Sequence, residues 1–216
     1  MKTKILKHYL LLFTILLGLI VSFNGCSDDN VNTEEIETYI PDNNFEQKLI
    51  DLGYDDILDD YVLTSNIKDV VELNLENLQV KNLTGIQDFE SLNKLYCEEN
   101  QLTSLDVSKN TSLLLLVCSS NQLTSLDVSK NTSLLLLVCF NNQLTSLDVS
   151  YNTELRSLYC YNNQLTNLDV SNNLFLSTLV CSNNQITCIK VNEFQLTNKI
   201  SKWTKDESSE WSLDCD

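Results

Sequence analysis

Residues 91–195 read SLNKLYCEENQLTSLDVSKNT (91–111), SLLLLVCSSNQLTSLDVSKNT (112–132), SLLLLVCFNNQLTSLDVSYNT (133–153), ELRSLYCYNNQLTNLDVSNNL (154–174) and FLSTLVCSNNQITCIKVNEFQ (175–195). Five blocks of 21 residues follow one another without insertion. Self-similarity at so short a fixed period predicts a solenoid, because no single block buries enough apolar surface to be stable but a stack does. Leu95, Cys97, Asn100, Leu102, Leu105 and Val107 recur at one spacing, so every coil offers its neighbours the same interior set. Leu95-x-Cys97 alternates with period two, which predicts a short strand with Leu and Cys inward. The second half of each block, L-D-V-S-x-N, is too short and too β-branched for a regular helix and predicts extended or 3₁₀ turns. A degenerate earlier copy, VVELNLENLQVKNLTGIQDFESL, begins at Val70.

Three other columns invite chemistry. Asn100, Asn121, Asn142, Asn163 and Asn184 form a ladder whose amides would satisfy backbone groups where each strand turns away. Cys97, Cys118, Cys139, Cys160 and Cys181 occupy one inward spot of successive strands. Cysteine there acts as a small apolar residue, and thiols projecting in one direction suit a disulfide poorly. Asp106, Asp127, Asp148 and Asp169 form an acidic ladder broken by Lys190. Calcium between stacked carboxylates is one reading; turn capping by Asp, with Lys109 and Lys130 relieving charge, is favoured because no glycine bends a metal loop. No metal or cofactor is expected.

The frame L-x-x-L-x-C-x-x-N-x-L-x-x-L-D-V-S-x-N resembles the leucine-rich-repeat family, in particular the short repeats of internalin-like and flavobacterial surface proteins, over roughly residues 40–216. The resemblance implies an α/β-type solenoid, mostly β: a right-handed coil with a short parallel sheet on its concave face. Variable strand positions would project from that face. They give one column of Lys94, Leu115, Leu136, Ser157 and Thr178, a second of Tyr96, Val117, Val138, Tyr159 and Val180, and a third of Glu98, Ser119, Phe140, Tyr161 and Ser182. Leu115, Val117, Leu136, Val138, Phe140, Tyr159 and Tyr161 make its middle apolar and aromatic, and they are the candidate ligand contacts. The three rings are expected to form one cluster. Valine and leucine merely suit a strand, which accounts for the aliphatic part but not for Phe140 beside Tyr161.

The stack needs closed ends. Pro41 to Phe45 predicts a short helix with Asp42 or Asn43 as N-cap and Gly53 past its end; Phe45, Leu49 and Leu52 would share the face that covers the first repeat. Asp55, Asp56, Asp59 and Asp60 lack the glycine and glutamate of an EF-hand loop and read as a solvated connector. Trp203 and Trp211 would seal the other end, and Cys188 with Cys215, the two outside the ladder in the repeat region, would tie the tail back as a disulfide.

At the start, Lys2, Lys4 and Lys7 precede an apolar run from Tyr9 to Phe23, the layout of a secretory signal peptide. Gly25-Cys26 behind that run resembles a bacterial lipobox, whose cysteine is lipidated; a soluble secreted chain is the alternative. Ser27-Asp28-Asp29 resembles the signal that sends Bacteroidota lipoproteins to the outer face of the outer membrane. The expected division is a signal peptide (1–25), an acidic tether (26–38), an N-terminal cap (39–69), repeats (70–195) and a C-terminal cap (196–216).

The chain carries 14 basic against 30 acidic side chains, and one histidine, His8. Removal of residues 1–25 takes three lysines and no acid, leaving eleven basic against thirty acidic side chains, a formal charge of −19. Such a charge repels nucleic acid. Without histidine, Ser-His-Asp and Cys-His catalysis and His-ligated zinc are ruled out, and two remaining glycines, Gly53 and Gly85, make no phosphate loop. An enzyme is not expected. The reading is a lipid-anchored, surface-exposed outer-membrane module that touches the membrane only through its lipid and binds a protein or polysaccharide on the concave face. A structural spacer without a specific ligand is the alternative.

Overall fold

The computed structural model describes residues 35–198 and 202–215. The leader, Cys26 and the Ser27, Asp28, Asp29 signal lie outside the described residues.

Each repeat contributes one three-residue strand to a parallel sheet. The strands are β3 (Glu72–Asn74), β4 (Lys94–Tyr96), β5 (Leu115–Val117), β6 (Leu136–Val138), β7 (Ser157–Tyr159) and β9 (Thr178–Val180), and β11 (Trp203–Thr204) closes the row. Seven strands lie in the order β11-β9-β7-β6-β5-β4-β3, all parallel and in register. The period of 21 residues thus appears directly as register: Leu95 pairs with Leu116, Leu116 with Leu137 and Leu137 with Leu158. A second parallel sheet joins β8 (Leu168–Asp169), β10 (Cys188–Lys190) and β12 (Glu210–Ser212). Between strands the repeats run in turns, with a 3₁₀ turn at Ile86–Asp88 in the degenerate copy.

The interior is one continuous apolar column. Leu95, Cys97, Leu102 and Val107 and their counterparts in the next coils are fully buried. Asparagine solves the backbone problem at the sheet's edge. Asn142 Nδ2 donates to the carbonyls of Cys118 and Cys139 (3.0 and 3.1 Å) while its Oδ1 accepts from Leu123 N–H (3.0 Å), so one amide links two coils. Asn121 and Asn163 repeat this pattern. Just before the ladder, each coil passes through a left-handed residue, φ 53–56° at Asn77, Glu99, Ser120, Asn141, Asn162 and Asn183.

The N-terminal cap is β1 (Glu37–Tyr39), α1 (Asn43–Asp51), β2 (Tyr61–Leu63) and α2 (Thr64–Ile67), with β1 and β2 antiparallel. β1 begins at Glu37, inside the stretch read as tether. Asp42 accepts from Asn44 and Phe45 N–H as N-cap, and its second oxygen accepts from Lys81 and Asn82 N–H, which fastens the helix to the first coil. Phe45 and Leu49 are buried, but Leu52 is 45 % exposed. The helix has ended before it, and Gly53 (φ +79°) turns the chain away, so the expected three-residue face shortens to two plus Glu46. At Gly85 (φ +97°) the cap packs against bare backbone: a Cβ there would lie 2.7 Å from the Tyr39 carbonyl oxygen. At the other end α3 (Glu193–Thr197) interrupts the last repeat, and Trp203 and Trp211 pack on the column with ring centroids 5.4 Å apart. The structure joins Cys188 to Cys215, with Cα atoms 5.8 Å apart, and leaves the five ladder cysteines buried as free thiols.

Candidate functional site

In β5, β6, β7 and β9 the middle residue is buried and the two flanking residues are half-buried, as a pleat with one face on the core requires. Leu115, Val117, Leu136, Val138 and Tyr159 therefore share the outer face of the sheet. Strands about 4.8 Å apart shield each other's side chains, which keeps these residues half-covered rather than exposed. Beyond the strand ends, Phe140 and Tyr161 stack with centroids 4.4 Å apart and planes 11° from parallel. The expected three-ring cluster is instead this pair. In-register pairing sets like positions side by side, so residue 140 meets 161, whereas Tyr159 lies between Val138 and Val180.

From β5 to β9 these columns carry no charge: Leu115, Leu136, Ser157 and Thr178; Val117, Val138, Tyr159 and Val180; Ser119, Phe140, Tyr161 and Ser182. Charge flanks this stretch at both ends: at the N-terminal end Lys94 pairs with Glu72 at 2.9 Å, which raises the lysine pKa, and beyond β11 Asp206 accepts from Asn183 and Asn184 N–H. Burial pushes the Glu98 carboxyl above its usual range, with Glu76 and Glu99 adding to the shift, and its Oε2 is buried without a hydrogen bond. On the turns, Asp106 and Asp127 accept from the backbone N–H of Ser108 and Ser129, which holds both carboxyls below their usual value. Asp148 and Asp169 cap Ser150 and Ser171 in the same way, and Lys190 lies 3.8 Å from Asp169. Among the described residues, no group of three or more His, Cys, Asp or Glu is placed to hold a metal ion. The turn at Asp59–Asp60 is held by buried Glu46, whose Oε1 accepts both backbone N–H groups at 2.7 Å. Burial raises the thiols of the cysteine ladder, Cys118 and Cys181 to about 12, so they are weak nucleophiles.

Two features escape sequence reasoning. Asn110, Asn131, Asn152 and Asn173 fit a turn-capping pattern, yet all are fully buried and form a second interior ladder: Asn131 Nδ2 donates to the carbonyls of Val107 and Asn110. Gln195, in α3 and one position beyond the 21-residue spacing, takes the next rung, donating to the Val170 and Asn173 carbonyls. Four strongly exposed apolar side chains of the repeat region also lie off the sheet strands: Tyr151, Leu174, Phe175 and Phe194, at 58–66 %. Their signal in the sequence is departure from the repeat, where Lys109 and Lys130 give way to Tyr151, and Ser112 and Ser133 to Phe175.

An in-register parallel sheet, one strand per 21-residue repeat, with an asparagine ladder at the strand exit, defines a leucine-rich-repeat β-solenoid. Comparison with known proteins gives internalins as relatives of similar build. The functional domain of InlJ from Listeria monocytogenes, a structure that includes a cysteine ladder, is 28% identical with TM-score 0.65, over 84% of this chain and 49% of that one. Internalin J of Listeria monocytogenes serotype 4b (strain F2365) is 34% identical over 79 residues, 37% of this chain and 8% of that protein. The internalin inlF of Listeria monocytogenes strain 4b F2365 shares the fold at 21% identity and TM-score 0.52, over 68% of this chain and 50% of that one. A leucine-rich-repeat protein of Leptospira interrogans does so at 20% identity and TM-score 0.50, over 70% and 46%. The chain spans about half the length of these solved structures and a small part of the curated relative. No family model matches. Among the described residues, no helix is long and apolar enough to cross a membrane.

Proposed function

We propose that the chain is a non-catalytic binding module, presented at the cell surface, whose outer sheet face engages a protein or glycan partner. The carrying observation is the uncharged apolar stretch across β5, β6, β7 and β9 with the Phe140–Tyr161 stack at its edge. Rings of this size are common anchors of contact surfaces, and neither is needed to fill the buried column. The likeness to internalins supports a repeat module as the working part. Several carboxylates are engaged in structural work, Asp106 and Asp127 capping turns and Glu46 holding a loop, which at those positions speaks for binding over acid–base chemistry.

Presentation follows from the other half of the reading: lipid on Cys26, export directed by Ser27, Asp28 and Asp29, and an anchor in the outer membrane facing the exterior. Immobilised wild-type chain, exposed to solubilised envelope proteins and to polysaccharides, should retain a partner that the Phe140→Ala/Tyr161→Ala variant does not. Equal background capture by both proteins would favour the spacer.

A further inference from the structure

The left-handed column beside the sheet carries a hydrogen-bonded chain of side chains. Asn183 Nδ2 donates to Asn162 Oδ1 (2.7 Å), Asn162 Nδ2 to Asn141 Oδ1 (2.6 Å), and Asn141 Nδ2 to Ser120 Oγ (3.4 Å). All three asparagines are exposed, and two residues further on Gln122, Gln143, Gln164 and Gln185 add a second column of exposed amides. The backbone does not demand these amides. Asparagine suits a left-handed residue, yet Glu99 and Ser120 hold the same φ of 54°. An amide has two N–H donors and two acceptor lone pairs; the relay engages one of each at Asn162, and the residue is exposed.

We infer that this rim binds a linear, uncharged polysaccharide laid along the solenoid axis. The inference rests on the sheet-face reading and narrows it to one ligand class. Amides recurring at one strand spacing, about 4.8 Å, call for a ligand whose polar groups recur at a like step. A chain of pyranose rings advances by a comparable distance per ring. An extended peptide on the same axis presents same-side groups about every 6.6 Å and drifts out of register within two coils. Sugar hydroxyls both donate and accept, as the amides do, whereas carboxylates only accept and would meet a chain of formal charge −16. Phe140 and Tyr161 immediately precede Asn141 and Asn162, so an apolar surface for ring C–H groups adjoins the polar rim.

Native affinity electrophoresis tests this with galactomannan, hydroxyethylcellulose and alginate cast in the gel. At least one neutral polymer should retard the wild-type chain, and anionic alginate should not. Asn162→Gly, which keeps the left-handed backbone and removes the middle amide, should weaken retardation at least tenfold in apparent dissociation constant with an unchanged melting temperature. No retardation by either neutral polymer, equal retardation by alginate, or wild-type behaviour of Asn162→Gly would overturn the inference. If those gels fail while a protein partner is captured by the wild type and lost by Phe140→Ala/Tyr161→Ala, the glycan inference falls and the sheet-face reading stands.

Discussion

Neighbouring asparagines divide the labour of one coil. Asn142 is 8 % exposed and bridges the Cys118 and Cys139 carbonyls to Leu123 N–H, whereas Asn141 is exposed. Removing the inner amide strands buried backbone groups, each worth about 1–3 kcal/mol, so Asn142→Ala should cost on the order of 3 kcal/mol in urea unfolding. Asn141→Gly should change stability little. Glu98 gives a pH signature. Its carboxyl is raised above the ordinary 4.5, mainly by burial, so the stability it contributes is full below that ordinary value and is lost as pH rises through its folded pKa. Glu98→Gln should therefore melt higher than wild type at pH 7, and the difference should shrink as pH falls toward 4.5; a pH-independent difference would contradict this origin. The first ladder was legible in the sequence because Asn100 and its counterparts follow the strand directly, where carbonyls lose their partners. The second was not. Asn110 ends a stretch in which Asp106 does cap Ser108, and only packing across coils shows the amide turned inward on Ile86 and Phe89.

The strands were legible because a side-chain period of two and a repeat of 21 residues leave one register that keeps Leu95, Cys97 and their counterparts inside. Element ends were less so. Leu52 continues the helical spacing of Phe45 and Leu49, but the backbone turns at Gly53 before the spacing counts. Likewise α3 falls where the repeat pattern predicts turns, begun by a capping box between Asn192 and Gln195. The C-terminal elements hang on little sequence: β12 pairs in parallel with β10, and the disulfide spans 27 residues. Replacing Cys188 and Cys215 with Ser should cost about 2–4 kcal/mol by loop-closure reasoning. Because a solenoid unfolds from its ends, hydrogen exchange should rise first in β10, β11 and β12. Thiol titration should find five reactive groups from the ladder only after unfolding, since Cys97, Cys118, Cys139, Cys160 and Cys181 are buried. Reaction in the native state would contradict the packing.

At the scale of the whole molecule the sheet is a ruler with a neutral middle and acidic surroundings. The columns of the outer face were legible from the repeat alone, but the pairing of Phe140 with Tyr161 to the exclusion of Tyr159 needed the register. The apolar residues off the sheet, Tyr151, Leu174, Phe175 and Phe194, went unread because single departures from a repeat look like drift until their exposure is known. Presentation is tested by Cys26→Ala, which should abolish palmitate labelling and release the protein from membranes; persistent labelling would remove the anchor from the account. The central claim is that the outer sheet face is the contact surface. Binding isotherms for the captured partner, with thermal melts, on wild type and on Phe140→Ala/Tyr161→Ala test it most directly. The ring pair contributes only about 0.5–1.5 kcal/mol to its own packing, so the melt should shift by a few degrees, while affinity should fall by about 2 kcal/mol or more. Unchanged affinity, or collapse of the melt, would contradict the claim.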